Sequence, residues 1–126
     1  MLGRVKVLWY TAGREARIVG EEICPVAEAA KLLGDKWTLI ILRDLASGTR
    51  RFKDLAHSGE GISPSILAAR LRELEQRGIV IRTSYNEIPP RVEYALSQKG
   101  HDALPVIDAL RVYGERWLTA GAARIR

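Results

Sequence analysis

Apolar residues recur at helical spacing through most of the chain and switch clearly to a two-residue period between about residues 79 and 96. Cys24-Pro25 opens the first clear helix. Pro25 suits the first helical position, where its missing N–H costs nothing, Val26, Ala29, Ala30 and Leu33 form a stripe, and Gly34 ends it. Asp35 is placed to cap a second helix, in which Trp37, Ile40, Ile41 and Leu45 make a broad apolar face and Ser47-Gly48 supplies the stop. After a loop, Thr49-Arg50-Arg51, comes a short helix around Phe52, Leu55 and Ala56, then the glycine-bearing turn Ser58-Gly59-Glu60-Gly61. Helix, tight turn and a following helix together invite a helix-turn-helix reading.

Ile62-Ser63-Pro64 reads as staple position, N-cap and first helical position of a helix running to Arg77, with Gly78 as its stop. Leu67, Leu71 and Leu74 recur at i, i+4 and i+7 and face the core, leaving Ser65, Ala68, Ala69 and Arg72 on a small, cationic opposite side. Two strand-like runs, 79–85 and 91–96, flank Asn86-Glu87-Ile88-Pro89-Pro90, whose prolines cannot continue a ladder, so the segment is predicted as a hairpin. Alternation puts Ile79, Ile81, Val92, Tyr94 and Leu96 on one face and Arg82 and Arg91 on the other. Ser97 is placed to cap a last helical region where Leu104, Val106, Ile107, Leu110, Tyr113, Trp117 and Leu118 give a stripe wider than one small core needs. Pro105 either bends this region or marks the start of its longer helix.

The chain has 126 residues, enough for one globular domain with an appended arm, and 47% apolar with 28% charged residues excludes a disordered or fibrous chain. The net charge is +5, and fifteen of the twenty cations are arginines, the type suited to bidentate phosphate contact. The only cysteine, Cys24, permits neither an intrachain disulfide nor a thiolate zinc site and fits a reducing cytoplasm. The longest apolar run, Trp37 to Leu42 interrupted by Thr38, falls far short of the roughly 18 residues of a membrane span. His57 and His101 are the only histidines, and neither belongs to a known catalytic pattern, so no enzyme, cofactor or metal site is expected. Residues 1 to 20, with Val5, Val7, Trp9, Arg4, Lys6, Arg14 and Arg17, read as a short strand or a loose basic arm.

The chain resembles the HxlR-type winged helix-turn-helix transcription regulators. The residues that carry the likeness are Cys24-Pro25, Leu33-Gly34-Asp35-Lys36-Trp37, Ile41-Leu42, Gly48, Arg51-Phe52, Leu55, Ile62-Ser63, Leu67, Leu71, Leu74-Glu75, Gly78, Arg82, Pro90, Val92-Glu93-Tyr94, Leu96-Ser97, Gly100 and Trp117. The resemblance implies a mainly α domain with a small β-hairpin, an α+β winged helix-turn-helix. It spans roughly residues 22 to 120, between an N-terminal arm (1–21) and a short tail (121–126). It also implies a homodimeric regulator of transcription that binds double-stranded DNA, with helix 63–77 in the major groove and wing 79–96 on the backbone or minor groove.

The residues support that expectation in part independently. Ser63, Ser65, Ala68 and Ala69 are small enough to enter a groove about 12 Å wide, and Arg70 and Arg72 add reach to bases or phosphates. Arg50, Arg51, Lys53, Arg82 and Arg91 are candidates for phosphate contacts; the plain alternative for each is a solvated charge, and for Arg51 an internal acidic partner. Surplus apolar surface on the first and last helices, through Val26, Leu33, Leu110, Tyr113 and Trp117, is expected to pair two copies, and a two-fold axis then predicts a palindromic operator. Trp117 is the proposed anchor, against the alternative of an intrachain core tryptophan.

Cys24 at a helix N-terminus is a candidate sensor of oxidants or electrophiles, as the matching cysteine is in some members of the family, because free N–H groups there favour a thiolate. The competing reading is a small buried hydrophobe, with Glu21 and Glu22 disfavouring the thiolate. A winged helix used as a protein-interaction module without specific DNA binding is the alternative function. The sequence names no small-molecule effector.

Overall fold

A computed structural model of the protein describes residues 23–58 and 60–119. The expected arm 1–21, Gly59 and the expected tail 121–126 lie outside the described residues. The backbone divides into two compact units, one ending at Asp35 and one beginning at Lys36.

In the first unit, α1 spans Pro25–Leu33 as the apolar spacing and Pro25 predict. Cys24 is its N-cap, with Sγ accepting the Ala27 N–H at 3.5 Å, and Gly34 closes the last turn by donating its N–H to the Ala30 carbonyl at 2.7 Å. No residue of α1 is buried.

The second unit contains α2 (Lys36–Leu45), β1 (Arg50–Arg51), α3 (Phe52–Ser58), α4 (Pro64–Gln76), β2 (Val80–Tyr85), β3 (Arg91–Leu96), α5 (Gln98–His101) and α6 (Leu104–Trp117). Its core is built from Ile41, Leu42 and Leu45 of α2, Leu55 of α3, and Leu67, Leu71 and Leu74 of α4, closed by Ile62, Ile79, Val80 and Leu96. The face of α2 differs from the expected one: Thr38, Ile41, Leu42 and Leu45 are buried, whereas Trp37 and Ile40 are half-buried. Apolar residues nearly encircle this helix, so periodicity could not choose between adjacent faces.

Two corrections concern the sheet. Arg50 and Arg51, expected in a loop, form a short third strand, so the hairpin is part of a three-stranded antiparallel sheet of order β1-β3-β2. Two residues are too few to show a period, and their strand character comes from pairing with Tyr94 and Glu93 of β3. The expected parity of β2 is also shifted by one. Val80, Arg82 and Ser84 pair with Leu96, Tyr94 and Val92, so Arg82 shares their face, while Ile81 turns outward at 51% exposure. Arg82 and Arg91 therefore lie on opposite faces rather than together. The cause is the bend at Gly78, whose φ of +77° lets the chain leave α4 with Ile79 and Val80 both buried. Ile79 is locked there by donating its N–H to the Leu74 carbonyl at 2.9 Å and accepting the Ser97 N–H at 2.9 Å.

Ser97 caps α5, its Oγ accepting the Gly100 N–H at 3.1 Å and donating to the Gly78 carbonyl at 2.5 Å. Pro105 lies in the first turn of α6, so it marks the start of the long helix rather than a bend within it. No residue of α6 is buried.

Candidate nucleic-acid interface

Helix α4 is fixed at both ends by local chemistry. Ser63 Oγ accepts the Ile66 N–H at 3.2 Å, Pro64 occupies the first turn, and Arg77 and Gly78 donate their N–H groups back to Glu73 and Glu75 carbonyls at 3.0 Å each. With Leu67, Leu71 and Leu74 buried, the opposite face presents exposed Ser65 and Arg72 and half-buried Ala69, with Ala68 half-buried at its flank. The Ser63 hydroxyl oxygen is engaged in the cap and also lies 3.4 Å from Ser65 Oγ. Arg70 is half-buried and already has a partner. Glu73 and Gln76, which sequence reasoning passed over, are exposed toward the C-terminal end of the helix.

The turn ahead of α4 is tied to α2 by residues that the sequence did not single out. The Arg43 guanidinium donates to the Ser58 carbonyl at 3.0 Å, pairs with Asp44 at 2.9 Å and reaches Glu60 at 3.5 Å. Ser58 Oγ donates to Asp44 at 2.8 Å. Glu60 at φ +58° and Gly61 at φ +86° make the left-handed corner that re-aims the chain into α4. Arg43 and Asp44 carry no motif; only the tertiary placement of α2 against the turn gives them this role.

The predicted cations fall into two classes. Among the described residues, the charged groups of Arg51, Lys53, Arg72 and Arg82 are exposed and have no hydrogen bond or ion pair. The carboxylate near Arg51 is that of Asp54, and it accepts the Arg51 backbone N–H at 3.1 Å at the start of α3, leaving the guanidinium outward. Arg50 and Arg82 stand on either side of Tyr94 in one cross-strand row, roughly 10 Å apart by strand spacing. Arg50 is half-buried and donates to Ser47 Oγ at 2.7 Å and to the Thr49 carbonyl at 3.0 Å.

Arg91 is of the other class. Its guanidinium pairs with Glu87 at 2.8 Å and Glu93 at 3.2 Å, and it lies 3.9 Å from the ring centre of its cross-strand partner Tyr85. Its side chain is 28% exposed, and its Nε is buried with no hydrogen-bond partner among the described residues. Arg91 thus braces the base of the wing loop, and it neutralises two carboxylates that would otherwise repel a polyanion.

On α6, Val106, Leu110, Tyr113 and Trp117 form an outward stripe, and Trp117 is 62% exposed. In the first unit, Val26 is 67% exposed and Leu33 is half-buried. Cys24 is a free thiol, exposed at the start of α1. Among the described residues no cluster of side chains is placed to hold a metal ion, and no helix is long and apolar enough to cross a membrane.

Three kinds of comparison place this geometry among known proteins. Residues 32–122 match the HxlR-like helix-turn-helix family. An uncharacterized HTH-type transcriptional regulator of Synechocystis is 44% identical over 96 residues, covering 76% of this chain and 71% of that one. The HTH-type transcriptional regulator YodB of Bacillus subtilis is 36% identical over 104 residues, covering 82% of this chain and 93% of YodB. The redox regulator HypR in its oxidized form superposes with a TM-score of 0.73 at 33% identity, covering 77% of this chain and all of that one. With α4 capped behind its turn, a three-stranded wing and matches of this extent, the chain belongs to the HxlR-like helix-turn-helix family and is a DNA-binding transcription regulator of winged helix-turn-helix fold.

Proposed function

We propose that the protein acts as a homodimer that reads a palindromic operator, with α4 of each copy in the major groove and the wing on the flanking backbone or minor groove. The observation that carries this reading is the outward face of α4, small at Ser65, Ala68 and Ala69 and cationic at Arg72, opposite a fully buried leucine stripe. Ser63 Oγ and Arg70 flank that face as auxiliary contacts. Arg50, Arg51, Lys53 and Arg82 supply phosphate contacts, which set register and salt dependence, and Arg91 serves through the shape of the wing.

The α6 stripe of Val106, Leu110, Tyr113 and Trp117, with Val26 and Leu33 of α1, supplies the apolar surface that a two-fold dimer buries. Half-sites then lie about 34 Å apart or a multiple of it. Cys24 gives the dimer a thiol input: with one cysteine per chain, oxidation ends in an intersubunit disulfide, a mixed disulfide or a sulfenic acid. Its exposure and its place at the start of α1 support this, as does the likeness to a protein named a redox regulator.

Selection from random duplex DNA, followed by binding of the enriched sequence at several salt concentrations, tests the reading. A palindromic consensus with steep salt dependence supports it, and Ser65→Glu, which sets a carboxylate on the groove-facing side, is expected to abolish binding while leaving the dimer intact. No enriched sequence, or unchanged affinity in Ser65→Glu, overturns it.

A further inference from the structure

Between α2 and α6 runs a groove of about 770 Å³, a size within the range of about 300–1,000 Å³ typical of small-molecule sites. Its apolar lining comes from Leu39, Ile40, Ala46, Leu104, Ile107 and Leu110, with Gly114 beside them. Gly114 is notable in a helix: its φ is not in the left-handed region, and a Cβ there would meet nothing within 4 Å. Neither backbone conformation nor close packing requires glycine, and alanine would favour the helix by about 0.5–1 kcal/mol. What the missing side chain does provide is open space in the groove.

The groove lies on a different side of α6 from the stripe of Val106, Tyr113 and Trp117, none of which lines it. At 100° per residue the two sides are about a third of a turn apart, with Leu110 at their border, so two copies can pair through the stripe without filling the groove.

The charges of the walls point to the class of ligand. On α6, Arg111 is held by Asp108 at 2.8 Å and Glu115 at 3.0 Å, so that wall is internally neutralised. On α2 the groove is bordered by Lys36, which pairs with no carboxylate among the described residues, and by Arg43. Arg43 is the same residue that grips the turn before α4. Its longest and most exposed contact is that to Glu60, at 3.5 Å with Glu60 58% exposed, which makes it the contact a second carboxylate can replace.

We propose that this groove binds an amphipathic organic acid, an apolar body bearing one carboxylate, and that the carboxylate takes Arg43 from Glu60 and loosens the turn that aims α4. Binding is thereby coupled to affinity for DNA. The coupling rests on the proposed function, whereas the binding site does not.

The test uses the whole 126-residue chain and decanoate, kept below its micellar concentration, with decanol as the uncharged control. Displacement of the fluorophore anilinonaphthalenesulfonate reads occupancy, amide exchange of residues 58–66 reads the turn, and operator titration reads the output. Decanoate is expected to bind, to speed exchange in the turn and to weaken operator binding about tenfold, within the usual range of allosteric coupling, with decanol about tenfold weaker as a ligand. Glu60→Gln, which removes the competing carboxylate, is expected to bind decanoate more tightly. Gly114→Leu, which fills the groove, is expected to lose decanoate binding and keep the dimer. Equal binding of decanol, unchanged exchange in the turn, or retained decanoate binding in Gly114→Leu overturns the proposal. So does dissociation of the Gly114→Leu dimer, which would show that a second copy occupies the groove. If no operator is found, the regulator reading fails separately, since occupancy and exchange are measured without DNA.

Discussion

Two glycines in neighbouring helices are expected to respond to the same substitution with opposite sign. Gly100 lies in α5, against the strand junction that closes the base of the wing. A Cβ built there falls 2.5 Å from the Ile79 carbonyl oxygen, 3.0 Å from Leu96 Cδ2 and 3.2 Å from Leu96 Cβ. The first of these is about 1 Å inside ordinary contact and meets backbone, which cannot rotate away as a side chain would. That carbonyl also accepts the Ser97 N–H at 2.9 Å and lies 3.1 Å from Ser97 Oγ, so any movement that relieves the clash stretches the bonds holding α5 to the sheet.

Overpacking of this kind costs about 1–3 kcal/mol, and a weakened hydrogen bond adds about 1 kcal/mol. Against this, alanine gains about 1 kcal/mol in helix propensity. Gly100→Ala is therefore expected to destabilise the protein by about 1–3 kcal/mol. Gly114→Ala meets no atom and is expected to stabilise it by about 0.5–1 kcal/mol. Urea unfolding followed by circular dichroism, at one fixed protein concentration because association contributes to apparent stability, separates the two as midpoints on either side of the parent. Midpoints displaced in the same direction, or a Gly100→Ala midpoint at or above the parent, would refute the packing argument.

The remaining expectations concern the interface. Arg82→Ala is expected to weaken binding to all sequences alike and to reduce the slope of log affinity against log salt by about 0.9, as loss of one phosphate contact does; an unchanged slope removes Arg82 from the site. Arg91→Ala is expected to accelerate amide exchange across residues 85–91 with a smaller change in salt slope than Arg82→Ala, and a full unit of slope would make Arg91 a direct contact instead. Trp117→Ala, removing a side chain 62% exposed in the single chain, is expected to shift sedimentation toward monomer, and an unchanged distribution would place the dimer elsewhere.

Much of the second unit was legible because its signals are local. Ser63, Pro64 and Gly78 mark the ends of α4 by cap chemistry that operates within one turn of helix, and the leucines at 67, 71 and 74 fix its inward face without reference to any other element. Pro105, open in the sequence between a bend and a helix start, lies in the first turn of α6, and the surplus of apolar residues along α6 corresponds to a stripe exposed among the described residues. The register of β2 was not legible, because a period-2 pattern only says which residues alternate. The bend at Gly78 decides which set faces inward, and it placed Val80 rather than Ile81 against the core.

The sequence by itself determined where α1 and α4 begin and end and which side of α4 faces away from the core. Tertiary structure alone decided what each arginine does. Fifteen identical side chains look alike in a sequence, and their roles diverge only when pairing across β3 brings Tyr85, Glu87 and Glu93 around Arg91, when the fold sets Arg43 against the turn at Ser58 and Glu60, and when Arg82 is left with no partner among the described residues. A guanidinium's function is set by the charges and dipoles within a few ångströms of it, and those neighbours come from residues up to fifteen or more positions away in the chain, as the Arg43 to Ser58 bond shows.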